Sequence, residues 1–113
     1  MGPEKTFEIK VKDFIEQEGG WYVKFFANRM TKEGIPDLLT CINGHFVGIE
    51  VKAQNGKPSK LQIRTCKEIR KSGGFAFILY PSGFTCFKMF VKNLKAGIHL
   101  DSWTHEEVPL ELK

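Results

Sequence analysis

Asp37, Glu50 and Lys52 are the residues of this chain whose types and spacing suit a reaction. They lie in residues 34–52, where Asn43-Gly44 separates two apolar runs, the strongest short-range signal for a β-hairpin. With a two-residue turn, Ile42 faces His45, and counting outward sets Asp37 opposite Glu50 on one face, Cβ atoms roughly 5 Å apart. Lys52 projects from the same face, two residues after Glu50. Opposed carboxylates repel each other, and a divalent cation between them removes the conflict. Magnesium prefers oxygen ligands and usually takes one or two protein carboxylates while keeping several waters. Asp37 and Glu50 supply that much, and the backbone carbonyl of Val51 is placed to add a third ligand. A lysine beside such an ion positions or deprotonates an attacking water and stabilises charge building on a phosphate. The set points to hydrolysis of a phosphodiester. No Ser or Cys with a nearby His base and no Gly-rich phosphate loop stands out, so acyl transfer and nucleotide hydrolysis rank low.

The elements that must hold these residues follow from periodicity. Residues 4–18 read as a helix stopping at Gly19-Gly20, with Phe7, Val11, Phe14 and Ile15 as its apolar stripe. Glu8 falls on the flank of that stripe, where spacing alone makes it a solvated edge residue; turned inward, it would reach the ion through a water. Residues 21–27 read as a strand, and 28–33 as a polar loop carrying Arg29 and Lys32. Both faces of the hairpin are largely apolar, which predicts a sheet covered by helices on both sides. Residues 59–71 form a second helix in which Ser59 and Gln62 fit a capping box, so spacing alone gives Gln62 a helix-start role. Lys60, Arg64, Lys67 and Lys71 recur along that helix as one basic stripe, with Lys57 just before it. The stripe is either a solvated face or a surface that tracks phosphates. Residues 75–80 read as an apolar strand, Pro81-Ser82-Gly83 as a turn, 84–90 as a further strand and 91–97 as a short helix. The tail, with Trp103, has no assignable structure. The expected class is α/β: a mixed sheet flanked by helices, core order αβββαβ plus a C-terminal strand and short helix.

Composition limits the alternatives. The 113 residues suffice for one domain with a modest core. No apolar run approaches the roughly 18 residues of a membrane span, and the N-terminus lacks the apolar core of a signal peptide, so cytoplasmic residence is expected. Cys41, Cys66 and Cys86 are odd in number, widely spaced and set in apolar patterns, which predicts reduced, buried thiols. A zinc site is disfavoured: no Cys-x-x-Cys occurs, and His45, His99 and His105 are scattered. A net charge of +4 permits a polyanionic partner.

Pro36-Asp37, twelve intervening residues, then Glu50-x-Lys52 resembles the signature of the PD-(D/E)XK nuclease superfamily. The wider frame adds Glu8, Gly19-Gly20, Gly34-x-Pro36-Asp37, Glu50-Val51-Lys52-Ala53 and Lys57-Pro58-x-x-Leu61-Gln62. This is similar to the virus-type replication-repair nuclease branch (VRR-Nuc) in its stand-alone phage and bacterial form, across residues 4–80. The resemblance implies a restriction-endonuclease-like fold and dependence on Mg2+ or Mn2+. It implies that Asp37 and Glu50 hold the metal, that Lys52 is the catalytic lysine, and that Glu8 and Gln62 belong to the active site. It further implies a homodimer cutting branched DNA, above all the four-way Holliday junction of recombination and repair, in the cytoplasm of a bacterial host. The alternatives are a monomeric nickase or flap nuclease, a non-catalytic DNA-binding module on the same fold, and a structural protein with an incidental signature.

Overall fold

Asn43 and Gly44 both take positive φ, 49° and 83°, the backbone that a two-residue hairpin turn demands. The turn joins β2 (Leu38–Ile42) to β3 (His45–Val51), with Ile42 paired to His45 and Leu38 to Ile49. The rest of the fold is assembled around this hairpin in a computed structural model that describes residues 1–97 and 109–113. β1 (Trp21–Lys24) adds antiparallel to β2, and β4 (Phe75–Leu79) adds parallel to β3 through the crossover helix α2 (Lys60–Lys71). β5 (Glu111–Leu112) extends the sheet parallel to β4. With α1 (Pro3–Gln17) and α3 (Phe84–Lys95), the order among the described residues is α-βββ-α-β-α-β: a five-stranded mixed sheet with three α-helices.

Hydrophobic burial sets the layers. Phe7, Val11, Phe14 and Ile15 of α1 join Phe87, Phe90, Val91 and Leu94 of α3 over Leu38, Ile42, Val47, Ile49, Phe75 and Phe77. On the opposite face Cys66 and Ile69 of α2 pack on Ala76, Ile78 and Tyr80. The expected covering of both faces is therefore present, but α2 packs chiefly on β4 and β3. Beyond it, Trp21, Val23, Cys41 and Phe46 remain exposed. No helix among the described residues is long and apolar enough to cross a membrane.

Several expectations are corrected. Residues 84–90 are not a strand: with 91–95 they form the single helix α3. The buried residues Phe87, Phe90, Val91 and Leu94 recur at helical spacing, and this burial overrides the aromatic content that favoured a strand. The first strand ends at Lys24 rather than Ala27, although the Phe25 amide still donates to the Asp37 carbonyl at 2.8 Å. Cys66 is buried as expected, and burial pushes its thiol up to about 12, but Cys41 and Cys86 are exposed. Cys41 lies on the part of the sheet that α2 does not reach, and Cys86 on the outer side of α3. Trp103, His99 and His105 lie outside the described residues.

Candidate active site

The hairpin register, continued one step beyond Leu38–Ile49, sets Asp37 opposite Glu50 where β2 begins and β3 ends. Local geometry fixes Asp37 there. Gly34, at φ 80°, passes so close to the first turn of α2 that a Cβ would stand 2.7 Å from the Leu61 carbonyl oxygen. Pro36 is buried next in the chain, and the Val51 amide then donates to Asp37 Oδ2 at 3.0 Å. One carboxylate oxygen is thus tied to the end of β3, which leaves Oδ1 as the one turned to other partners.

Glu50 is the most constrained group of the site, its side chain 3 % exposed. Its Oε2 accepts from Gln62 Nε2 at 3.0 Å and lies 3.3 Å from Lys52 Nζ. Its Oε1 is buried without a hydrogen-bond partner. Burial, and next the neighbouring Asp37 carboxylate, push the Glu50 carboxyl up to about 8, with Lys52 pulling the other way. Lys52 stands just past β3, its amide donating to the Leu79 carbonyl at 3.0 Å, so the end of β4 holds it beside the acid.

Gln62 starts the helix, as its spacing predicts, and also touches Glu50. Ser59 caps α2, accepting the Gln62 amide at 3.1 Å, and Gln62 Oε1 accepts the Ser59 amide at 2.8 Å. The remaining Nε2 of Gln62 goes to Glu50. The capping box therefore aims the amide group at the acid.

Glu8 is buried rather than a solvated edge residue, its side chain 4 % exposed. Three lysines surround it: Lys24 at 2.6 Å, Lys5 at 3.1 Å and Lys12 at 3.4 Å. Burial alone would raise its carboxyl, but these lysines, Lys24 foremost, hold it below the usual range. Lys24 also reaches Asp37 Oδ1 at 3.4 Å, and so links Glu8 to the acid pair. Burial would lower the Lys24 ammonium, but Glu8 and Asp37 outweigh it and raise the lysine above its ordinary value. Lys24 was missed by sequence reasoning; the available signal was a lone charge inside the aromatic run Trp-Tyr-Val-Lys-Phe-Phe.

Among the described residues no three His, Cys, Asp or Glu side chains gather as a metal-ligand group. The site offers two carboxylates, with the Val51 carbonyl between Glu50 and Lys52. That set suits a hard cation that keeps much of its water. The partnerless Glu50 Oε1 is the observation that fits an ion: a buried oxygen without a donor is costly, and a cation satisfies it.

The basic residues divide into two groups. Lys57, Lys60, Lys67 and Lys71 are exposed, as are Arg29 and Lys32 in the loop before β2. Arg64 is exposed but paired to Glu68 at 3.1 Å, and Lys32 approaches the same carboxylate at 3.7 Å. A cleft of about 510 Å3, lined by none of the candidate catalytic residues, opens between α2 and the hairpin at Ile35, Pro36, Leu39, Phe46, Thr65 and Ile69 among others. Comparison with protein-family models and with curated proteins gives no significant match to this chain.

Proposed function

We propose that this chain is a metal-dependent nuclease that hydrolyses phosphodiester bonds in DNA, with Asp37 and Glu50 as metal ligands and Lys52 as the catalytic lysine. The observation that carries the reading is Glu50 Oε1, buried beside Asp37 without a hydrogen-bond donor, at strand ends that also present Lys52. The order α-βββ-α-β, with β4 parallel to the antiparallel hairpin, supports the restriction-endonuclease-like frame that the Pro36-Asp37 … Glu50-x-Lys52 pattern implies.

Asp37, Glu50 and the Val51 carbonyl would hold Mg2+ or Mn2+, which supplies Lewis-acid polarisation of the phosphate and acidification of a water. The residues themselves contribute in distinct ways. Val51 N–H fixes Asp37, and Gln62 fixes Glu50, so neither acid has to be ordered when substrate arrives. Lys52 Nζ, its side chain largely enclosed beside Glu50, would orient the attacking water, take its proton as the neutral amine and, once charged, face the charge that grows on the phosphate. The exposed lysines of α2 supply the counter-charge for the DNA backbone. Branched DNA, in particular the four-way junction, is the proposed substrate, and a homodimer the proposed form. Two-fold symmetry sets two identical sites against two strands.

The test compares linear, flap and four-way-junction DNA with Mg2+ and with Mn2+, wild type beside Lys52→Ala. Metal-dependent cutting is expected, with preference for the junction, and Lys52→Ala should lower the rate by about 10²–10⁴-fold while the protein stays folded. Junction binding without cutting in any divalent metal would reduce the protein to a DNA-binding module, and a monomer by sedimentation would remove the paired cut.

A further inference from the structure

We propose that Lys24 is a built-in counter-cation of the acid pair: its ammonium occupies Asp37 in the metal-free protein, competes there with the divalent ion, and is drawn off by Glu8. The inference rests on the metal-site reading above and concerns how that site is kept ready.

Lys24 closes β1 and pairs with Leu38, the neighbour of Asp37, which brings its side chain to the edge of the site. The Nζ lies 3.4 Å from Asp37 Oδ1 and 2.6 Å from Glu8 Oε1. Asp37 Oδ2 already accepts from the Val51 amide, so Oδ1 is the less engaged oxygen for an incoming ion, and Lys24 is the cation found on it. An ammonium and a divalent ion that share one carboxylate oxygen repel each other, and this weakens metal binding for as long as the lysine stays. The unequal distances favour Glu8 as the partner that retains the lysine. It is held more closely by Glu8, a buried carboxylate on α1 that is also flanked by Lys5 and Lys12. Glu8 can therefore keep Lys24 when Asp37 turns to a metal, without either charge being left bare in the interior. Lys24 is thus a positioning residue, and Glu8 acts on the metal through Lys24 rather than as a ligand.

Removing Lys24 should not strand Glu8, because Lys5 and Lys12 remain, so folded variants are accessible. Mn2+ binding to the full chain, followed by the electron paramagnetic resonance of the free ion, reads the effect without any cleavage assay. Lys24→Gln and Lys24→Met should each bind Mn2+ more tightly, on the order of tenfold for one partly screened charge. Lys24→Arg, which keeps the charge, should stay near wild type. Glu8→Gln should bind Mn2+ more weakly, because the lysine then rests on Asp37 alone. Adding Glu8→Gln to Lys24→Gln should change nothing further, since Glu8 would have lost the residue it acts through.

Unchanged or weakened Mn2+ binding in both neutral Lys24 variants, with their melting transitions intact, overturns the inference. So does a Glu8→Gln effect that persists in the Lys24→Gln background, which would make Glu8 a ligand in its own right. Wild type that binds no Mn2+ at all overturns the metal-site reading itself, an outcome distinct from binding that fails to respond to Lys24.

Discussion

Gln62 Nε2 donates to Glu50 Oε2 at 3.0 Å while the same side chain closes the capping box with Ser59, so one residue starts a helix and holds an acid. The two roles can be separated by substitution. Gln62→Ala loses both, and should cost about 1 kcal/mol of stability together with a clear drop in cleavage rate. Ser59→Ala removes the cap acceptor but leaves the Gln62–Glu50 contact, so it should cost a similar stability with cleavage little changed. Urea unfolding and single-turnover cleavage of the two variants, side by side, check the split. Equal losses of rate would mean that Gln62 matters only as a cap.

The raised carboxyl of Glu50 makes metal-free stability depend on pH in a defined direction. In the folded protein Glu50 keeps its proton up to about 8, whereas the unfolded chain releases it near 4.5. Between these values the folded state binds more protons, so stability falls as pH rises through the window. Among the described residues the other carboxyl with a shifted value, Glu8, moves down from 4.5, away from this window, while Tyr22 and Lys24 move up from 10.0 and 10.5, and Cys66 and Tyr80 go up to about 12. Thermal melts of metal-free protein from pH 5 to pH 8.5 should therefore show a falling Tm that Glu50→Gln largely flattens. Mn2+ competes with the Glu50 proton, so the Tm it adds should be larger at pH 8 than at pH 5. A Tm without slope in this window would place Glu50 in a more solvated setting than the one described.

The hairpin was legible because its signals are local. Asn43-Gly44 specifies the turn, the turn specifies the register, and the register places Asp37 against Glu50. The capping box was legible for the same reason, with Ser59 and Gln62 three residues apart. What was not legible depended on distant partners. Glu8 reads as a surface residue along its own helix, and the partner that β1 brings against it, Lys24, lies 16 residues away in the chain, beyond any local signal. Residues 84–90 have the aromatic content of a strand, and their helical state is decided by the sheet surface that Phe87 and Phe90 meet. The open stretch at Trp21, Cys41 and Phe46 could not be read either, because the reach of α2 across the sheet is a tertiary quantity.

The helical assignment of α3 makes its own prediction. Phe87 and Phe90 are buried and contact each other and Phe14, Phe75 and Phe77 edge-on or tilted, whereas Met89 is 62 % exposed between them. Phe87→Ala should cost about 3–5 kcal/mol and Met89→Ala almost nothing. Met89→Pro should cost about 3 kcal/mol, because it removes a helix hydrogen bond without touching the core. Denaturant unfolding of the three variants decides the matter; a tolerated proline at 89 would argue against the helix.

The basic face of α2 can be tested residue by residue through salt. Each lysine that neutralises a duplex phosphate contributes about 0.9 to the slope of log K against log salt concentration. Lys67→Ala and Lys71→Ala should each lower the slope by about one such unit and weaken all DNA substrates alike, since phosphate contacts carry no sequence information. Arg64 differs because Glu68 already holds it at 3.1 Å and draws Lys32 as well. Arg64→Ala should therefore change the slope less than the lysines do. Glu68→Gln frees both cations and should tighten binding, most strongly at low salt, where exposed charges are least screened. Fluorescence anisotropy with a labelled junction across a salt series measures all four. Slopes that stay at the wild-type value in both lysine variants would move the DNA path off α2.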